Sequence, residues 1–180
     1  MDKGVGAGIF VDGKLHRGAI GSAGEIGYMR VPGAPRAKLS INRTGSLEDA
    51  LGQKGIEEAW RQMHPSNGKG KERAVTAHQI LALASDGHPG AVEIRDSIAA
   101  ILSDVIINIS VLLDPSMIVL GGEIGRSPDL FATVLKRVQQ NEFARFTLVA
   151  SHLGKDAALT GAVKLALETA EQGLLNFNVE

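Results

Sequence analysis

Residues 4 to 31, GVGAGIFVDGKLHRGAIGSAGEIGYMRV, constrain the chain more than any other stretch. An alternating glycine run (Gly4, Gly6, Gly8) enters a strand, and Asp12-Gly13 supplies a two-residue turn. A second strand then leads into a glycine-spaced loop that presents one acidic side chain, Glu25. Glycine has no Cβ and tolerates positive φ, so such a segment lets bare backbone approach a small ligand. Asp-Gly between β-prone segments is a strong hairpin signal. The pattern predicts strands over 4–11 and 14–19, and a third over 28–32 (YMRVP) stopped by Pro32.

Beyond Gly33 the composition is loop-like and basic up to Thr44. Ser46 offers an N-cap for a short helix over 47–53, followed by a second over 55–63 that ends before Pro65. PSNGKGK (65–71) reads as a loop. Helical spacing resumes at Val75, Ile80, Leu81 and Ala84 and closes at Asp86-Gly87. Pro89 suits the first turn of a new helix. Ile94, Ile98, Ile101, Leu102, Val105, Ile109 and Leu112 then form an apolar stripe at spacings of three and four. That pattern predicts a long core-facing helix over 90–113, ended at Asp114-Pro115. A buried strand over 117–122, a helix over 128–140, a strand over 145–151 and a last helix over 158–172 complete the order. Antiparallel-prone strands followed by alternating helix and strand describe an α/β layered domain with a mixed sheet.

The chain has 180 residues, enough for one domain with a full core. A formal charge of −1 gives no global electrostatic reason to expect nucleic acid or an anionic membrane as partner. The absence of cysteine excludes disulfides and thiolate zinc sites. No uninterrupted apolar run approaches the ~20 residues of a membrane helix, and MDKGVGAG lacks the layout of a signal peptide. A soluble cytoplasmic domain is expected. The opening directly into a glycine-rich strand predicts the C-terminal part of a longer protein; a short protein whose first strand is its start is the other reading.

The 4–31 stretch resembles the signature of the ROK family, the group of repressors, open reading frames and sugar kinases. Its usual form is a G-x-G-x-G strand, a short hairpin, then G-x-x-x-x-x-G-E-I-G-H; here Tyr28 stands where the histidine would be. Two further anchors follow in order, VLGG (119–122) and SHLGKDAALTGAVKLA (151–166). The resemblance implies one lobe of the actin-like, ribonuclease-H-like ATPase fold, spanning residues 1–180 as a single C-terminal lobe. Residues 33–87 would be its helical insertion.

The resemblance also implies site residues. Glu25 would accept hydrogen bonds from two sugar hydroxyls, a charge-assisted pair; without the motif it reads as a solvated loop glutamate. Tyr28 would hydrogen-bond or stack on a sugar face, or it packs inward at a strand start. Glu48 would reach toward the same sugar pocket. Gly4 and Gly6 would offer backbone N–H groups to phosphate, and Gly121 and Gly122 would lie against the adenosine of ATP. Tight strand and turn packing explains these glycines equally well. Asp2-Lys3 replace the family's phosphate-gripping G-T, and an aspartate repels phosphate. In the family's zinc segment, aligned with INRTGSLEDALG (41–52), every cysteine is missing, so no zinc is expected. The closing segment reads as structural, its small residues letting the last helix pack close to the sheet. His16, His64, His78, His88 and His152 are scattered, without metal spacing.

Family kinases use an aspartate base in an N-D-x-N segment and a D-x-G-x-T phosphate loop. Neither occurs in these 180 residues, so this chain alone is expected not to phosphorylate sugar. The Asp2-Lys3 departure, the missing zinc ligands and the tail EQGLLNFNVE favour the sugar-sensing, dimerising lobe of a transcriptional repressor. Such a protein would reach DNA only through a separate N-terminal domain. The alternative is the larger lobe of an ATP-dependent sugar kinase, which would use ATP and magnesium. Either way a small sugar and a second copy of the chain are the expected partners, with no membrane.

Overall fold

The computed structural model describes residues 1–34, 45–65 and 74–177, the last six of these by backbone alone. The hairpin is present and shorter than its β-prone sequence. β1 (Ile9–Val11) pairs antiparallel with β2 (Lys14–His16), with Phe10 opposite Leu15. Asp12 and Gly13 both take positive φ, +52° and +76°, the geometry a two-residue turn of the Asp-Gly kind requires. Residues 4–8 and 28–32 are not strands. A ladder needs a hydrogen-bonded neighbour, and the described residues bring none alongside. Instead Ile26–Tyr28 form a single 3-10 turn, after which Met29 is extended.

α1 (Ser46–Leu51) and α2 (Gln53–Met63) follow, hinged at Gly52. Ser46 is the first helical residue and buried, with Gly45 at the cap position, one residue before the expected cap. The packing explains the shift: a Cβ at Gly45 would overlap the Gly27 carbonyl oxygen, so only glycine fits where the helix starts. α3 (Ala77–Ser85) begins with a full capping box. Thr76 Oγ1 accepts from the Gln79 N–H (3.3 Å), and the Thr76 N–H donates to Gln79 Oε1 (2.9 Å).

α4 (Pro89–Leu113) is the centre of the molecule. It packs against α1, α2, α3 and α6 (Pro128–Val138). Ile94, Ile98, Ile101, Leu102 and Val105 of the expected stripe are buried; Leu112 is 78% exposed, because the helix runs on past its covering neighbours. By length and composition α4 is apolar enough to cross a membrane, although Arg95, Asp96 and Asp104 interrupt its apolar run. Its apolar stripe is occupied here by other helices, as in a core helix. Arg95 ties α4 to α6: its Nη1 donates to Asp129 Oδ2 (2.5 Å), and its Nε and Nη2 donate to Asp96 Oδ1 (3.0 and 2.8 Å). The bond to Asp129, more than that to Asp96, raises the guanidinium pKa against partial burial.

β3 (Met117–Leu120) and β4 (Thr147–Ala150) pair in parallel, in register from Met117–Thr147 to Leu120–Ala150. The α/β character holds, but among the described residues the strands form two two-stranded sheets and not one mixed sheet. Between β3 and β4 lie α5 (Gly122–Gly125) and α6. α7 (Ala157–Phe177) closes the chain and meets mainly the 154–156 turn that precedes it. Among the described residues the expected close packing of α7 on the sheet is not observed: Leu159, Val163 and Leu167 are 67%, 51% and 60% exposed, and a Cβ at Gly161 would touch nothing.

Candidate functional site

The N-terminal segment is pinned from several directions. The Gln53 N–H donates to the Asp2 carbonyl (3.0 Å), and the Ala7 N–H donates to the Gly24 carbonyl (2.8 Å). The Met1 ammonium donates to the Gly121 carbonyl at 2.6 Å. Burial lowers the pKa of that amine, opposed by the charge of Asp2. One short stretch thus touches α2, the GEIG loop and the end of β3.

Glu48, on the first turn of α1, sits where these parts converge. A Cβ built on Gly4 would lie 3.4 Å from Glu48 Oε2, and one on Gly27 would lie 3.3 Å from the same oxygen and 2.8 Å from the Val5 carbonyl. The carboxylate therefore rests against two glycine backbones that any side chain would push away. It is half-buried and takes no hydrogen bond from a described residue. A carboxylate is acceptor-only, so this one can receive hydroxyl or amine donors from a ligand. Gly4 and Gly6 are exposed, and their N–H groups have no backbone partner among the described residues.

Glu25 is exposed just before the 3-10 turn, and Tyr28 ends that turn half-buried. Gly24, next to Glu25, takes φ +91° and lies directly over the Ala7 carbonyl, which fixes the loop on the glycine segment. Gly121 and Gly122 follow β3 at its carboxyl end, where α/β folds place ligands; Gly122 takes φ +76°, and a Cβ there would overlap the Met1 carbonyl. Gly4, Glu48 and the GEIG loop are brought together directly, and Gly121-Gly122 join them through Met1. The described part of the zinc-aligned segment, Gly45–Gly52, forms α1 and carries no sulfur ligand, which does not fit a thiolate zinc site.

One grouping escaped the sequence. His78 is not isolated: its Nε2 lies 3.0 Å from Glu123 Oε2, and the Asp2 carboxylate joins them, all three donor atoms within 4.8 Å of one another. His64 and His88 also meet, their ring centroids 5.9 Å apart, with Trp60 stacked on His64 at 4.0 Å. No linear spacing announces either group, because positions 2, 78 and 123 come from the N-terminal segment, α3 and α5.

The family model described as "ROK family" matches residues 1–169. The chain is 28% identical over 193 aligned residues to a glucokinase of Halalkalibacterium halodurans, covering 96% of this chain and 57% of that protein. It is 27% identical over 163 residues to an N-acetylmannosamine kinase of Escherichia coli O6:H1, covering 90% and 53%. Among solved structures, a ROK family glucokinase from Streptomyces griseus in complex with glucose and AMPPNP matches with TM-score 0.72 at 26% identity, over 92% of this chain and 58% of that one. A ROK family transcriptional regulator, homologous to the MLC protein of E. coli, matches with TM-score 0.64 at 23% identity, over 83% and 40%, and shares the fold. The chain spans about half the length of the curated relatives it matches.

Proposed function

The chain belongs to the ROK family, and from that premise we propose that it is the larger lobe of a cytoplasmic, ATP-dependent sugar kinase. The observation that supports this most is the half-buried Glu48 carboxylate, resting against Gly4 and Gly27 with no donor from the described residues. In this reading Glu48 and Glu25 accept from sugar hydroxyls, and Tyr28 borders them. Gly4 and Gly6 face the nucleotide phosphates, and Gly121-Gly122 face the adenosine. The general base and the D-x-G-x-T loop come from residues outside this chain. ATP with magnesium supplies the phosphoryl group when bound; what these residues contribute is the holding of sugar and nucleotide.

Asp2 and the missing cysteines favour a repressor when the sequence is read alone. Asp2 weighs less once its carboxylate is seen gathered with the His78 imidazole and Glu123. The curated sugar kinases resemble the chain over most of its length, which supports the kinase reading better than the repressor one.

The test uses the full-length protein with its upstream residues. Glucose, N-acetylglucosamine and N-acetylmannosamine are offered with ATP and magnesium, and sugar phosphate is measured. ATP-dependent turnover is expected, with Glu48→Gln and Glu25→Gln each raising KM. A lost hydrogen bond to a charged group costs about 1.5–3 kcal/mol, or roughly ten- to hundredfold in affinity. No turnover on any sugar, together with sequence-specific DNA binding, overturns the reading in favour of the repressor. Unchanged KM in both variants removes the two carboxylates from the sugar site.

A further inference from the structure

We propose that Asp2, His78 and Glu123 form a binding site for a divalent cation. Three elements distant in sequence deliver one donor each: the pinned N-terminal segment, the first turns of α3 and the four-residue α5. The donors are an imidazole nitrogen and two carboxylates, within 4.8 Å of one another. This set suits manganese, cobalt or zinc, which accept mixed nitrogen and oxygen ligands. The ordinary alternative is a His78–Glu123 ion pair with Asp2 nearby by chance. Charge argues against it: one imidazole carries at most +1, while the two carboxylates together carry −2. A divalent ion balances the carboxylates and turns their mutual repulsion into shared attraction. His78 and Glu123 side chains are 43% and 51% exposed, so an ion has access and both can rotate the short distance needed to close on it.

The position adds a consequence that rests on the kinase reading. Asp2 lies two residues before Gly4 and Glu123 directly follows Gly122, so the cation would offset the negative charge that Asp2 brings beside the phosphate-facing glycines. The metal site itself does not depend on that reading, and its test uses metal alone.

Chelator-treated protein is titrated with Mn²⁺ while the imidazole proton resonances of its five histidines are followed. Substoichiometric Mn²⁺ should broaden His78 first and leave His16 and His152 sharp. Calorimetry with Co²⁺ should give one site per chain, weakened at least tenfold by His78→Gln and by Glu123→Gln, and unchanged by His64→Gln. Wild-type broadening needs no variant, so a folding defect in either variant leaves the outcome decided. Broadening that starts at His64 or His88, or no broadening of His78 at millimolar Mn²⁺, overturns the site. Co²⁺ affinity unaffected by both folded variants overturns it as well. If metal binds as described but the full-length protein phosphorylates no sugar, the kinase reading falls and the cation site stands.

Discussion

Gly24→Ala is the most telling single change, because it acts on the contact that holds the GEIG loop to the glycine segment. Two costs arise. An alanine at φ +91° occupies a region that L side chains rarely adopt, at about 1–3 kcal/mol. Its Cβ would also overlap the Ala7 carbonyl oxygen, so the loop must lift and the Ala7 to Gly24 hydrogen bond (2.8 Å) goes with it, a further ~0.5–1.5 kcal/mol. Gly21→Ala separates the two costs. Gly21 has nearly the same φ, +80°, yet a Cβ there meets nothing within 4 Å, so that variant bears the conformational cost alone. In urea denaturation Gly24→Ala should therefore exceed Gly21→Ala by about 1 kcal/mol, equivalent to roughly 2–4 °C in Tm for a domain of this size. If the loop opens locally instead of unfolding the whole domain, the cost appears as faster hydrogen exchange at the Ala7 amide, by roughly tenfold or more. Equal destabilisation by both variants, with Ala7 protection unchanged, would refute the packing of Gly24 on Ala7.

Incubated with ATP, magnesium and a panel of hexoses and amino sugars, these 180 residues alone should yield no sugar phosphate above background; turnover abolished by a change within the chain would contradict this. Thr76→Ala removes the α3 capping box and should cost about 1 kcal/mol in denaturant titration, whereas no loss would mean the cap is idle. Arg95→Met keeps the stem's packing but strands Asp129 and Asp96, whose side chains are 32% and 43% exposed. A loss of about 1.5–3 kcal/mol is expected, below that for a fully buried pair, and wild-type stability would show that the α4–α6 tie contributes nothing. Light scattering should find a homodimer, given the uncovered apolar faces of α7 and β3, and a monomer at micromolar concentration would exclude it.

Signals that depend only on neighbours in the chain were legible. Asp12-Gly13 fixed the hairpin, since the turn needs positive φ at both positions and those residues provide it. The stripe through Ile94, Ile98 and Val105 fixed α4, because its period matches one helix face over about three turns. Signals that depend on a partner were read less well. YMRVP has strand propensity but lacks a neighbouring strand among the described residues, and β-structure cannot be satisfied alone. Ser46 has the right side chain for a cap, yet the close approach of Gly27 assigns that position to Gly45. Glu48 could be named only from the resemblance; its place against Gly4 and Gly27 follows from how α1 packs, which no spacing encodes. The Asp2, His78 and Glu123 cluster lay beyond reach for the same reason.

α7 shows most clearly where local pattern stops being informative. Leu159, Val163 and Leu167 recur every four residues, the spacing that places side chains along one helix face, and Ala158, Gly161 and Ala162 keep part of the surface small. Both features say that something packs closely here, and the sheet is the nearest guess in sequence order. In the fold that stripe is exposed, and so are Met117 and Val119 of β3, at 54% and 52%. Most of a helix's stability in a protein comes from packing its apolar face rather than from propensity. Burying each such aliphatic side chain contributes about 1.5–3 kcal/mol. The stripe at 159, 163 and 167 therefore holds a large unrealised stabilisation. Helix propensity and period together determine that α7 forms and which of its faces is apolar. Which surface that face meets is a tertiary fact that no spacing within the helix encodes.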